Sequence, residues 1–156
     1  MKQIILESLA LSYFKGAEKV NIQFDPEWTN IRADNRIGKT TIFDAFTWLL
    51  FGKDSQGSAN FDIKTLDAKN NAIPNVDHEV KGTFYINGVK HELRKAYRED
   101  WTKKRGSETA ELTGHHNDCW WNGVPVSVGD YQKFVATIIP EKIFKLVTNQ
   151  IGRAHV

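Results

Sequence analysis

The stretch that decides the fold runs from Ala33 to Phe51 and reads ADNRIGKTTIFDAFTWLLF. From Lys39 onward this stretch has no glycine or proline, and its large apolar side chains recur at the spacing of helical turns, at Ile42, Phe46, Leu49 and Leu50. This spacing predicts an amphipathic helix over residues 39–51. Gly52 stands where a helix C-terminal cap is expected.

The turn in front of this helix fits a phosphate-binding pattern at all but its first position. Residues 33–40 read ADNRIGKT, against the pattern G-x-x-x-x-G-K-[ST]. Backbone N–H groups in such a turn form a nest for one phosphate. The lysine reaches the β- and γ-phosphates, and the following hydroxyl binds Mg²⁺.

The sequence therefore predicts a site for ATP and Mg²⁺, with Thr40 as the metal ligand. The binding residues are Asn35, Arg36, Ile37, Gly38, Lys39, Thr40 and Thr41. The alternative is an ordinary helix start with a chance lysine. A strand before the turn and a helix after it favour the phosphate site.

Strand patterns lie on both sides of this unit. Alternating apolar and polar side chains predict strands at residues 9–13 and 20–24, joined by a turn at Lys15-Gly16, and a short strand over residues 29–33. Asn87-Gly88 and Asn122-Gly123 predict tight hairpins, because both residue types tolerate positive φ. The first hairpin pairs residues 84 and 91, and the second pairs residues 119 and 126. Residues 130–147 predict one or two helices, interrupted at Pro140.

Composition limits the function classes. A chain of 156 residues is enough for one domain, and its net charge of +2 is too small to indicate nucleic-acid binding by bulk electrostatics. The single cysteine, Cys119, cannot form an internal disulfide, which favours a cytoplasmic setting. The apolar run over residues 46–51 is far shorter than the roughly 20 residues that cross a bilayer, so no membrane partner is expected.

Two smaller clusters carry weaker signals. Residues 115–119 offer two histidines, an aspartate and a cysteine, but adjacent histidines in a strand face opposite ways, so loop polarity is favoured over a zinc site. Lys103, Lys104 and Arg105, near Trp101, can neutralise DNA phosphates without reading sequence. A solvated loop is the favoured interpretation of that basic cluster.

The turn, the helix and the residues that follow them resemble a known family of ATPases. Residues 35–45, with Leu50-Phe51-Gly52-Lys53-Asp54 after them, are similar to the N-terminal part of an SbcC-type ATPase head. That group is related to the structural-maintenance-of-chromosomes (SMC) ATPases and to double-strand-break-repair ATPases. Residues 11–16, 20–24 and 61–67 are also similar to it. The likeness covers residues 1–149 and is specific mainly across residues 31–67.

The resemblance implies an α/β fold: the N-terminal lobe of a phosphate-loop NTPase of the ABC-ATPase-head type, with a mixed β-sheet, β-hairpins and a phosphate-loop helix. It also implies ATP and Mg²⁺ as cofactors and a second ATPase head as a homodimer partner. In the full-length protein it implies DNA and a nuclease subunit as further partners. The activity would be ATP hydrolysis in DNA double-strand break repair or DNA processing.

The chain departs from the family pattern at two positions of the turn. The family usually has glycine where this chain has Ala33, and a small residue, often glycine, where it has Arg36. Glycine lets the backbone approach phosphate closely and adopt positive φ. The polar strand before the turn is also unusual, and indicates either a place near a sheet edge or sequence drift. These features favour an alternative, a degenerate, non-hydrolysing head that serves as a binding or scaffold module. A small phosphate-loop kinase is disfavoured, because two hairpins replace alternating βα units.

The family's second carboxylate motif, its signature loop and its coiled coil have no counterpart in this sequence. We therefore expect no catalytic residue in this chain, and almost no ATP hydrolysis by the chain alone. The last residues, Ile151-Gly152-Arg153-Ala154-His155-Val156, match a translation of a common sequencing adapter, and Gln150 fits the same frame. We expect residues 1–149 to be the N-terminal part of a head and residues 150–156 to be a non-native tail.

Overall fold

The computed structural model of the chain describes residues 4–24, 30–32, 39–54, 63, 64, 69 and 71–139. Seven strands and two helices are found in this part of the chain. In chain order they are β1 (Ile4–Phe14), β2 (Ala17–Gln23), β3 (Asn30–Arg32), α1 (Lys39–Phe51), β4 (His78–Ile86), β5 (Val89–Lys103), β6 (Ala110–Trp121), β7 (Val124–Val126) and α2 (Val128–Ile138).

The strands form one sheet in the order β3-β2-β1-β4-β5-β6-β7. All six pairs of described strands are antiparallel. The predicted α/β class, with its hairpins and its helix over residues 39–51, is confirmed. The resemblance implies a mixed sheet, whereas every pair of described strands is antiparallel. The polar strand β3 lies at one edge of the described sheet, which agrees with the edge alternative and explains why it is not continuously apolar.

Both Asn-Gly hairpins form with the predicted register. Phe84 pairs with His91 across the first, and Cys119 pairs with Val126 across the second. Asn87 and Asn122 have φ of 49° and 48°, and the glycines after them have φ of 82° and 80°. Positive φ at both central residues is what a type I′ turn requires, so local turn chemistry is sufficient to set these two registers.

The helices cover one face of the sheet. Phe46 on α1 packs against Phe84 on β4, with ring centroids 5.7 Å apart, and Trp48 packs against Phe14 on β1 at 5.6 Å. Tyr131 and Val135 on α2 are buried in the same core. Directly paired residues share a face, so the apolar positions of β1, β2, β4 and β5 meet the helices together.

The predicted helix over residues 39–51 has the bounds expected from the sequence, and Gly52 follows it with a φ of 70°. Its N–H donates to the carbonyl of Trp48 at 3.0 Å, which closes the last turn. Within the predicted helical region 130–147, α2 ends at Ile138, and residues 140–147 lie outside the described ones. No helix in the described part of the chain is long and apolar enough to cross a membrane.

Candidate nucleotide-binding site

The structure places the start of α1 where the sequence predicts the phosphate site. The helix begins at Lys39, and in its first turn Thr40 is exposed and Thr41 is half-buried. Four of the predicted binding residues, Asn35, Arg36, Ile37 and Gly38, lie outside the described residues, as do Ala33 and the side chain of Lys39. The described part of the site is therefore the first turn of α1 and the residues around it.

The charge at this helix start suits an anion. The first four N–H groups of a helix have no partner within the helix, and the helix dipole places partial positive charge there. No acidic side chain occupies the first turn of α1. The exposed hydroxyl of Thr40 adds an oxygen ligand of the type that Mg²⁺ prefers. These donors and this ligand fit the phosphates and the metal of a nucleotide.

Asp44 is the only acidic residue of α1, and it lies one turn beyond Thr40. Its side chain is buried, and the Lys15 ammonium pairs with its Oδ2. Without that partner, a buried carboxylate one turn from the helix start would oppose a bound phosphate. The Lys15–Asp44 ion pair therefore keeps the positive field at the start of α1.

Lys15 is held in place by the tight turn between β1 and β2. Lys15 and Gly16 both have positive φ, at 46° and 90°. The N–H of Lys15 donates to the carbonyl of Ile63 at 2.8 Å, and Phe14 forms an isolated antiparallel bridge with Lys64. The turn is thus fixed against residues 63–64 while the Lys15 side chain reaches α1.

The Lys15–Asp44 pair is a feature of the site that sequence reasoning missed. The sequence predicts Lys15 only as part of a turn, and it places Asp44 only within the stretch 35–45 that carries the family resemblance. The available signal is that a single carboxylate stands in an otherwise uncharged stretch after Lys39, since a buried charge needs a partner. Which cation supplies it depends on a contact between residues 29 positions apart.

The side chains of the 115–119 cluster go to different partners. His115 stacks on Tyr97 with ring centroids 4.8 Å apart, whereas His116 lies between the carboxylates of Asp100, at 2.6 Å, and Asp118, at 3.2 Å. These carboxylates raise the pKa of His116. Cys119 is buried, and burial raises the pKa of its thiol. Among the described residues, no three His, Cys, Asp or Glu side chains are grouped as a metal site.

Comparisons with known proteins agree with this fold. The chain matches a family model described as an AAA domain over residues 8–148. Among solved structures it is similar to "Structure of the recombination mediator protein RecF-ATP in RecFOR pathway", with a TM-score of 0.51 and 13% identity. That match covers 84% of this chain and 31% of the other, so the chain spans less than a third of that protein's length. No curated protein sequence matches the chain.

At 13% identity the structural likeness shows the fold alone. It is the fold of the N-terminal lobe of a phosphate-loop ATPase head, as the sequence predicted. The family match, by contrast, extends over most of the sequence, from the first hairpin to beyond α2. The chain therefore belongs to the AAA domain family.

Proposed function

We propose that this chain binds ATP with Mg²⁺ at the start of α1. The backbone N–H groups of residues 36–41 would cradle the phosphates, and Lys39 would compensate the charge of the β- and γ-phosphates. Thr40 would hold Mg²⁺, which neutralises the phosphate oxygens when the nucleotide is bound.

The observation that carries this proposal is that α1 begins at Lys39, the lysine of the Gly-Lys-Thr sequence, and that the first turn of this helix has no acidic side chain. The Lys15–Asp44 ion pair supports it, because the single carboxylate of α1 is already compensated. Membership of the AAA domain family supports it independently.

For the whole protein, we propose an SbcC-type, SMC-like ATPase in which ATP drives two heads to dimerise and hydrolysis separates them for work on DNA. Its pathway would be double-strand break repair or DNA processing in the cytoplasm, with a nuclease subunit as a further partner. Residues 1–149 would form the N-terminal part of one head. This chain supplies the phosphate-binding half, so hydrolysis would need the complete protein.

A second candidate is a degenerate, non-hydrolysing head, with its nucleotide affinity weakened or lost, that serves as a binding or scaffold module. Ala33 and Arg36 favour it, since alanine resists positive φ and an arginine side chain can crowd a phosphate nest. The two candidates differ in one measurable property, the affinity for ATP.

The test is a titration of the chain with a fluorescent ATP analogue and Mg²⁺, alongside Lys39→Ala. Lys53→Ala is the matched control, because Lys53 is an exposed lysine just beyond the opposite end of α1. We expect Lys39→Ala to weaken binding about tenfold or more, the loss typical of a charge-assisted bond. Lys53→Ala should bind as the wild type does.

Equal and negligible binding by the wild type and Lys39→Ala would contradict the proposal. The variant with Ala33→Gly and Arg36→Gly then decides between the candidates. Recovery of binding by this double variant would identify a degenerate head, whose phosphate nest was lost through those two side chains.

A further inference from the structure

A two-stranded arm extends from the sheet. β4 pairs with β5 only as far as Tyr97, but β5 and β6 continue to pair with each other out to Lys103 and Ala110. We call residues 98–116 the arm. No third described strand pairs with it, and all the side chains from Trp101 to Arg105 are exposed. A bare two-stranded ribbon buries little surface of its own, so its side chains are available to a ligand.

The arm carries an exposed tryptophan at an irregular point of the ribbon. Trp101 is 42% exposed, and its cross-strand neighbour Leu112 is 44% exposed. The register shifts between Asp100 and Trp101, which leaves Thr113 as an extra residue on β6. The Thr113 hydroxyl donates to the carbonyl of Asp100 at 3.1 Å and lies 2.8 Å from the hydroxyl of Thr102. Such a bulge redirects the side chains that follow it.

A partly buried ion pair holds the indole ring in this exposed position. The Nε1–H of Trp101 donates to Oε2 of Glu99 at 2.8 Å, and the other oxygen of Glu99 accepts from Lys64 Nζ at 3.1 Å. The Glu99 side chain is only 5% exposed. Lys64 in turn lies beside Phe14 through the isolated bridge to β1. The ring is thus fixed at its edge, while a large part of its surface stays in solvent.

Three cations follow Trp101 at the end of the arm. Lys103 is two residues along the same strand and so shares the face of Trp101, and Lys104 and Arg105 begin the turn. Gly106, with a φ of 86°, and the hydrogen bond from Ser107 N–H to the carbonyl of Lys104 at 2.9 Å close this turn. Lys104 also pairs with Glu111 at 3.5 Å, but both side chains are largely exposed and such a pair is weak.

We propose that the arm binds single-stranded DNA, with Trp101 as a stacking platform for a base and Lys103, Lys104 and Arg105 as contacts to the phosphates. An aromatic face next to a track of cations is the combination that binds single strands without sequence preference. The ordering of the indole before binding lowers the entropy lost when a base stacks on it. The inference deepens the proposed function, and it rests on that function for the choice of DNA as the polyanion.

The test measures binding of the chain to a fluorescein-labelled 30-nucleotide oligothymidine by anisotropy, at 50 to 200 mM salt. The triple variant Lys103→Ala, Lys104→Ala, Arg105→Ala is compared with Lys19→Ala, Lys90→Ala, Lys133→Ala, which removes the same charge from exposed positions elsewhere. We expect the arm triple variant to bind about tenfold or more weakly at 50 mM salt and to lower the slope of log K against log salt by about 2. For the control triple variant, the loss of affinity and the change in slope should each be less than half of those of the arm triple variant.

A second pair of variants tests the stacking platform. Trp101→Ala is expected to weaken binding about fivefold or more, and Trp101→Phe to recover most of it. Leu112→Ala is the control, because it removes a similarly exposed apolar side chain that has no aromatic face. It should stay within about twofold of the wild type. Thermal unfolding of each variant shows whether the chain stays folded.

The inference is overturned if the wild type does not bind the oligonucleotide at 50 mM salt, if the two triple variants behave alike, or if Trp101→Ala binds as the wild type does. Tight binding to a 30-base-pair duplex that is insensitive to Trp101 would also overturn it. Lys39→Ala separates this inference from the nucleotide site. If Lys39→Ala loses ATP binding but still binds the oligonucleotide, the assignment of DNA binding to the arm stands. If the wild type binds ATP but the arm variants do not weaken oligonucleotide binding, only the assignment of DNA binding to the arm is refuted.

Discussion

At the scale of single residues, Lys95 shows how the C-terminus of α1 is completed. Lys95 on β5 is only 4% exposed, and its Nζ donates to the carbonyl of Trp48 at 3.2 Å and lies 4.8 Å from the Trp48 ring centroid. Tyr131 on α2 donates to the next carbonyl, that of Leu49, at 2.7 Å. The Leu49 carbonyl, one of the last four of the helix, gains a partner in this way, and the Trp48 carbonyl gains a second partner beside the Gly52 N–H. A cation here also interacts favourably with the helix dipole.

Burial lowers the pKa of Lys95 below its ordinary value of 10.5. Over the pH range between the lowered pKa and 10.5, the unfolded chain binds more protons at this side chain than the folded one does. Stability therefore rises with pH across that range. Cys119 and Tyr131 act in the opposite direction, because burial raises their pKa values.

We predict that the free energy of unfolding of the wild type, minus that of Lys95→Met, rises between pH 7 and pH 10. The increase is at most about 1.4 kcal/mol per pH unit. Urea titrations at several pH values measure it. The burial of Cys119 and Tyr131 is common to both proteins, and the charge of Lys95, which lowers the pKa of Cys119 in the wild type, adds to the rise. A difference that is flat or falling with pH would show that Lys95 is fully charged in the folded state.

At the scale of secondary-structure elements, the approach of α1 to the sheet depends on Gly82 in β4. A Cβ atom at position 82 would lie 2.8 Å from Cδ2 of Leu49 and 2.8 Å from the Phe84 ring. Both neighbours are fully buried, so neither has free space to move into. The missing side chain is therefore what lets the helix sit directly on the middle of the sheet.

We predict that Gly82→Ala destabilises the fold by about 1–3 kcal/mol, the usual cost of overpacking a core. Gly129→Ala is the control, since a Cβ at position 129 meets nothing within 4 Å and the residue is in α2. Alanine there should be neutral or slightly stabilising. Thermal unfolding of both variants gives the comparison. Equal melting temperatures would mean that the helix can shift away from β4 without cost.

At the scale of the whole molecule, the sheet is well supported at its centre and bare in the arm. β1 and β4 each pair with strands on both sides, and the core side chains of α1 cover them. The arm has one pairing per strand and exposed side chains on both faces. Local opening should therefore require much less free energy in the arm than in the central strands.

We predict that hydrogen exchange follows this division. Amides of the arm, residues 98–116, should exchange at least about tenfold faster than hydrogen-bonded amides of β1 and β4. The residues of β5 from Leu93 to Tyr97 serve as an internal control, because they belong to the same strand but pair with both β4 and β6. Equal protection along the whole of β5 would show that the arm and the core open as one unit.

Most of the local structure could be predicted from the sequence. The bounds of α1, its glycine cap, the turn at Lys15-Gly16 and both Asn-Gly hairpins follow from signals within a few residues of each other. Hydrophobic spacing and the backbone preferences of glycine and asparagine act over that range. The phosphate-binding role of residues 35–41 stays a prediction, supported by the family to which the chain belongs.

Several features depend on contacts that no local pattern specifies. The strand order that places β1 beside β4, the pairing of Lys15 with Asp44, the burial of Lys95 under α1 and the anchoring of Trp101 through Glu99 to Lys64 all join residues distant in sequence. In the last three of these features, a buried polar group finds its partner once the core has closed, because leaving that group unpaired would cost more than ordering its partner. Helix, turn and hairpin thus follow from neighbouring residues, whereas the charges around the site and the orientation of the arm follow from packing.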